Sequence, residues 1–184
     1  GQAEAQFNLG VLYDQGLGVQ QDPVQAANWY QRAAAQGYVQ AQYNLAVLYA
    51  SGLGVAQNYS EAVRWYRQAA IRGLKEAQFN LAVLYENGFG TVQNYAEAAE
   101  WYRRAAEEGY TAAQNNLGVL YANGQGVPLN PAIAYAWYEV AAARGNAKAR
   151  ANRDQLIRHL SAEQLTEGQR LAEEYARRYR PAPP

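Results

Sequence analysis

Residues 5–37 read AQFNLGVLYDQGLGVQQDPVQAANWYQRAAAQG, and the chain repeats that line three more times. Ala5, Ala41, Ala77 and Ala113 open four blocks, at residues 5–40, 41–76, 77–112 and 113–148. The same step carries Trp29 to Trp65, Trp101 and Trp137, and Gly16-x-Gly18 to Gly52-x-Gly54, Gly88-x-Gly90 and Gly124-x-Gly126. A fixed period between about 20 and 50 residues marks a solenoid, in which each unit buries its apolar side only by stacking on its neighbours.

Within a block, positions are counted from the first Ala. Ala41, Leu45, Leu48 and Tyr49 fall at i, i+4, i+7 and i+8, one face of an amphipathic helix, here helix A. Gly52, three residues after Tyr49, suits a left-handed C′ position that ends it. Position 18 is Asp22, Asn58, Asn94 or Asn130, each a good N-cap, with Pro23 and Pro131 one residue later at N1. Glu61 and Glu97 stand three residues after their caps and complete a capping-box pattern. Ala62, Trp65, Tyr66, Ala69 and Ala70 then form the stripe of a second helix, helix B, whose paired alanines permit close approach of a neighbour. Each block is thus a helical hairpin.

Fifteen of the 36 positions are identical in all four blocks. The pattern A-x-x-x-L-G/A-x-x-Y-x-x-G-x-G-V-x-x-D/N-x-x-x-A-x-x-W-Y-x-x-A-A-x-x-G resembles the Sel-1-like repeat, a relative of the tetratricopeptide repeat, over residues 5–148. The resemblance implies an all-α fold, a right-handed α/α superhelical solenoid of helix-turn-helix repeats. It implies a scaffold or adaptor with a protein or peptide partner held in a concave groove lined by the first helix of each repeat. It also implies a bacterial exported or envelope-associated setting. A cysteine-rich branch of that family has been associated with penicillin binding or β-lactamase-like activity, but this chain has no Cys to form that branch's pairs.

At the C-terminus, Ala149-x-x-Asn152 begins a fifth block, which Arg153 and Asp154 interrupt while Leu156, Ile157 and Leu160 keep an apolar side. Ser161-x-x-Gln164 is a capping box opening a further helix with the stripe Leu165, Gly168, Ala172, Tyr175 and Tyr179. Residues 149–180 therefore read as a partial repeat and a capping helix, and residues 181–184 as a disordered tail. Residues 1–4 read as the end of a preceding repeat. Because terminal units have one neighbour only, interior Trp65 and Trp101 are expected to matter more for stability than Trp29 and Trp137.

Composition narrows the chemistry. Sixteen basic residues balance sixteen acidic ones, so no net field draws nucleic acid or anionic lipid. Residues 1–143 carry seven Lys/Arg against eleven Asp/Glu, and residues 144–184 nine against five, a mild asymmetry that a solvated cap accounts for. No run reaches the roughly 18 consecutive apolar residues of a membrane span. One histidine, His159, and no cysteine leave no metal site and no thiol nucleophile. Ser161, nearest to His159, is better employed as an N-cap than in a triad. The Gly-x-Gly pairs lack the Lys of a phosphate loop. Glu107 and Glu108 are expected to pair with Arg103 and Arg104 at i, i+4 on a solvated face. No catalytic residue, cofactor or metal is assigned, and the protein is read as non-enzymatic.

The stripe on helix A opposite its core face is positions 3, 7, 10 and 11. Phe7, Val11, Asp14 and Gln15 fill it in block 1, Tyr43 and Val47 (with Ala50 and Ser51) in block 2. Phe79, Val83, Glu86 and Asn87 follow in block 3, and Asn115, Val119 and Asn123 (with Ala122) in block 4. An aromatic and a Val on a face that should be wet have two readings: an apolar groove with an acidic rim for a helix or extended peptide, or mutual burial of consecutive helices A, which the invariance of the Val favours for position 7. Position 4 is Asn in every block (Asn8, Asn44, Asn80, Asn116), and two roles are open to it: bonding the adjacent repeat, which the pairing of buried polar groups favours, or bonding a peptide main chain. Two other readings stand beside the adaptor. One is an envelope-associated hydrolase or cell-wall ligand binder, by analogy with the cysteine-rich branch; the other is a structural spacer within a longer solenoid.

Overall fold

A computed structural model describes residues 1–179; residues 181–184, read above as a tail, lie outside the described residues. Ten α-helices follow one another in the described part. Helices A are α1 (Gln2–Gln15), α3 (Val39–Ser51), α5 (Lys75–Asn87) and α7 (Thr111–Asn123), with α9 (Ala147–Ile157) as that of the fifth block. Helices B are α2 (Pro23–Ala35), α4 (Tyr59–Ile71), α6 (Tyr95–Glu107) and α8 (Pro131–Ala143), and α10 (Ala162–Arg178) closes the order. The all-α class, the serial helix pairs and the extra C-terminal helix are as the repeat predicts. The chain divides into two compact units, α1–α5 (residues 1–93) and α6–α10 (from Asn94).

In the first unit each helix B packs on its own helix A and on the next one: α1 on α2, α2 on α3, α3 on α4, α4 on α5. Ala41, Leu45 and Leu48 are buried beneath α2, and Ala77, Leu81 and Leu84 beneath α4. The matching Leu9 and Leu12 of block 1 are 37% and 36% exposed. Stacking, not the hairpin itself, removes these leucines from water.

Two polar ties and one close approach accompany the apolar stacking. Gln42 and Gln78, at position 2, donate their side-chain amides to the carbonyls of Ala34 and Ala70 at the end of the preceding helix B, 3.3 Å in each case. Those carbonyls are among the four that a helix end leaves without an intrahelical partner. Asn80 donates to the Tyr66 hydroxyl of the preceding block at 3.3 Å, and Asn44 does the same for Tyr30. The Asn row thus bonds the adjacent repeat. Finally, in blocks 2 and 3 the second Gly of the turn abuts the start of the preceding helix B. A Cβ on Gly54 would lie 2.1 Å from the Pro23 carbonyl oxygen, and one on Gly90 2.2 Å from the Tyr59 carbonyl carbon. The first Gly has the other job: Gly16, Gly52, Gly88 and Gly124 have φ of 66–74° and end helices A in the left-handed region.

The capping box expected at Glu61 forms only by half. Asn58 accepts from the Glu61 N–H at 3.1 Å, but its own N–H already donates to the Tyr49 carbonyl at 2.8 Å. With that donor taken, Glu61 turns to Arg64 instead, at 2.7 Å.

The second unit repeats the scheme through α6–α9. Gln114 donates to Ala106 at 2.9 Å, Asn116 to the Tyr102 hydroxyl at 3.0 Å, and Gly126 abuts Tyr95. Beside the i, i+4 pairs expected at Glu107 and Glu108, Arg103 and Arg104 both turn back to Glu100, at 2.6 and 3.2 Å. An acid N-terminal to its cation is the better-oriented pair on a helix.

Helix α10, opened by the complete Ser161–Gln164 capping box, packs on α8. Gly168 lets it approach, since a Cβ there would lie 2.8 Å from the Tyr135 ring. This contact explains why α8, alone among helices B, is apolar almost all round, with Tyr135 and Val140 buried as well as Trp137 and Tyr138. In blocks 1–3 an arginine lies over the Trp ring: Arg32 on Trp29, Arg64 on Trp65, Arg104 on Trp101. Block 4 replaces that cation by Tyr175 and Tyr179, with ring centroids 4.6 and 5.6 Å from Trp137. Trp137 is therefore 3% exposed, and the expectation that a terminal Trp counts for less fails at this end because α10 supplies the missing neighbour.

Two stability predictions result. Trp65→Ala and Trp137→Ala are each expected to cost ~3–5 kcal/mol, the scale for truncating a buried aromatic, and the half-buried Trp29 clearly less, measured by urea denaturation. Gly54→Ala and Gly18→Ala share a left-handed backbone, but only Gly54 abuts a neighbour. Gly54→Ala should therefore melt at a lower temperature than Gly18→Ala, and equal melting points would contradict the loop contact.

Candidate functional site

Position 10 of helix A decides what the face beside it looks like. In block 1 it is Asp14, whose carboxylate accepts from the Tyr30 hydroxyl at 3.2 Å. Burial, and next the Asp14 charge, push the Tyr30 phenol up, against the lowering effect of the Asn44 bond. In blocks 2 and 4 position 10 is Ala50 or Ala122, and no carboxylate closes over the tyrosine of helix B. An open trough lies there instead.

The trough in the first unit has a volume of about 350 Å³ and lies between α3 and α5. Val47, Ala50 and Ser51 form one wall, Asn80, Val83 and Leu84 the other, Tyr66 the floor, and Tyr59 with Phe89 the loop end. Tyr59 and Phe89 stack, with centroids 5.1 Å apart. The trough in the second unit, about 330 Å³, uses the same positions one pair of blocks later: Val119, Ala122 and Asn123 from α7, Asn152, Gln155 and Leu156 from α9, and Tyr138 below. His159 stands at its edge. Asn152 donates to Asn115 at 2.9 Å instead of to Tyr138, whose hydroxyl makes no hydrogen bond among the described residues.

Both floor phenols are held protonated. Burial raises Tyr66, outweighing the lowering effect of the Asn80 bond, and burial alone pushes Tyr138 up to about 12. Since Tyr66 receives its hydrogen bond from Asn80, its own proton is available to an acceptor in the trough. Each trough therefore offers a hydroxyl donor under an aliphatic wall.

Of the groove residues expected from the sequence, Val47 and Val83 meet in the first trough, and Val119 and Asn123 line the second. Phe7 and Tyr43 are drawn into their own hairpins. Phe7 packs on Tyr30 and Tyr38 (5.8 and 4.9 Å) and Tyr43 on Tyr66 (5.8 Å), and the two face a separate shallow depression with Asn44 and Glu76. Asn115 is buried, donating to Asn116 at 3.1 Å and accepting from Asn152. Asn87 donates back to the Val83 carbonyl at 2.8 Å. Phe79, Val11 and Glu86 are partly buried, and Gln15 is exposed. The sequence reading missed Tyr66, Tyr138, Tyr59, Phe89 and His159. One signal pointed to the first two: position 10 alternates Asp14, Ala50, Glu86, Ala122 while the tyrosine at position 26 never changes.

Among the described residues no group of three or more His, Cys, Asp or Glu is placed to hold a metal ion, and no helix is long and apolar enough to cross a membrane. The Sel1 repeat model matches residues 3–38, 39–74, 75–110 and 111–146. The chain belongs to the Sel1 repeat family. Its fold is similar to that of a Sel1 repeat protein from Oxalobacter formigenes, with 36% identity and a TM-score of 0.83 over 96% of this chain and 73% of that one. It is also similar to a protective antigen of uropathogenic Escherichia coli with an SLR fold, with 34% identity and a TM-score of 0.66, covering 96% of this chain and 46% of the antigen. A shorter likeness, 53% identical over 38 residues, joins it to chitin synthase regulatory factor 3 of Schizosaccharomyces pombe. That match spans 21% of this chain and 4% of the regulatory factor.

The floor tyrosines make the Sel1 stack sensitive to alkali. A phenol whose folded pKa lies above its unfolded value contributes stability in full below the ordinary tyrosine value near 10, and loses it as pH rises through the folded value. Tyr138 and Tyr175, both pushed up to about 12 by burial, set the window. The urea midpoint is expected to hold from pH 7 to 9 and fall between about pH 10 and 12. Tyr138→Phe should flatten that fall, and an unchanged pH profile in the variant would refute the assignment.

Proposed function

We propose that this Sel1 repeat protein is a non-enzymatic adaptor that binds an extended segment of a partner protein across the face of its helices A. The observation that carries this reading is the recurrence of one trough at equivalent positions of two block pairs. Each trough has an aliphatic wall, an Asn beside it and a protonated phenol below. An extended peptide needs apolar holes for alternate side chains and donors for the carbonyls between them. The troughs provide both. The absence of a charged or nucleophilic cluster in them favours holding a ligand over transforming it. Family membership supports the same reading, since Sel1 repeats commonly mediate protein binding.

The position-3 aromatics are poor probes of this face, because they also pack the hairpins. Val47→Glu with Val83→Glu, at half-buried wall positions, tests it more directly. Peptides selected from a random display library on the wild-type protein should bind this double variant at least ~10-fold more weakly, the loss of about 1.4 kcal/mol of apolar contact. Undiminished binding, with the variant's far-ultraviolet dichroism unchanged, would place the peptide site elsewhere.

A further inference from the structure

Within the first unit the position-10 row reads acid, Ala, acid: Asp14 on α1, Ala50 on α3, Glu86 on α5. The trough beside Ala50 is therefore flanked along that row by a carboxylate in the block before and one in the block after. Charge is also sorted between the two layers of this unit. Helices α1, α3 and α5 carry Glu4, Asp14, Glu76 and Glu86 against Lys75 alone. Arg32, Arg64 and Arg67 all lie on helices B, where Glu61 is the one acid. The trough itself is lined by no charged side chain.

We propose that the first unit takes a segment with an apolar side chain between two basic ones, the apolar one in the α3–α5 trough and the cations over Asp14 and Glu86. This inference rests on the peptide-binding reading above and specifies its ligand. Charge complementarity selects the flanks: an acidic segment would meet two like charges, and a neutral one would gain nothing from them. Geometry selects the spacing. The two acids stand two blocks apart on either side of the trough, and an extended chain reaches about 20 Å in about six residues.

The residue at position 10 is the specificity determinant of this site. Asp14 shows what a carboxylate does there: it takes the hydroxyl of the tyrosine below and closes the face. Ala50→Asp copies that native arrangement one block later, so it is compatible with the fold and removes the trough along with its donor, Tyr66. Ala50→Leu fills the same space without adding charge.

The test is a titration of the isotope-labelled protein, followed by amide chemical shifts, with acetyl-Lys-Ser-Gly-Leu-Gly-Ser-Lys-amide. Two control peptides carry Glu in place of both Lys, or Ser in place of Leu. The Lys–Leu peptide is expected to move the amides of Val47, Ser51, Val83 and Phe89, with a Kd at least ~5-fold below either control. Ala50→Asp and Ala50→Leu should both abolish those shifts while keeping the wild-type melting temperature within a few degrees. If either control peptide binds the trough as tightly, or if both variants still bind, the assignment of a basic–apolar segment is overturned while peptide binding by this face stands. If no peptide moves an amide of α1, α3 or α5, the assignment falls as well, and the display selection decides the broader reading independently.

Discussion

The tyrosine at position 26 holds the stack together. Tyr30 and Tyr66 are almost wholly buried in helix B, and each accepts a hydrogen bond from the Asn of the following helix A. Tyr102 and Asn116 do the same in the second unit. The ring fills the space between successive hairpins, and its hydroxyl gives the half-buried Asn a partner, so one side chain meets both the packing and the polar requirement of the joint. The Gln at position 2 adds a second bond to the same joint by capping the end of helix B.

Because that joint recurs, most of the repeat is committed to making it. The small residues let helices B approach, the first turn glycine ends helix A, and the second lets the loop lie against the block before. What is left free to vary next to the tyrosine is narrow: the positions that the joint does not use. Position 10 is the clearest of them. An acid there satisfies the phenol from within the chain, whereas an alanine leaves its proton turned toward an open trough. The same stack thus accommodates an acid at this register position in one block and an alanine in the next.

Blocks 1 and 4 are packed differently. Block 1 leaves Leu9 and Leu12 partly in water, where the later blocks cover their equivalents. At the other end α10 lies on α8 and covers Trp137 with Tyr175 and Tyr179. The apolar run of residues 131–143, broken only by Glu139, is the mark of that second contact. It was legible in the sequence, but as a run of apolar residues it did not say which helix would cover it.

Periodicity alone determined the helices, their ends and their pairing, because identical residues at a fixed step answer local rules of stripe, cap and turn. It also separated scaffold from variable positions, and the first trough draws on both: Val47, Tyr66, Asn80, Val83 and Leu84 are fixed, while Ala50, Ser51, Tyr59 and Phe89 vary. It could not tell a groove wall from a hairpin contact. Phe7 and Tyr43 share a stripe with Val11 and Val47, yet the two rings fold back onto Tyr30 and Tyr66. Nor could it show that Asn115 is spent on Asn152, or that Arg103 and Arg104 converge on Glu100. Those outcomes depend on which side chains reach one another across helices, a distance that spacing within one helix does not contain. Tertiary structure decided them, and with them which tyrosines face an open trough.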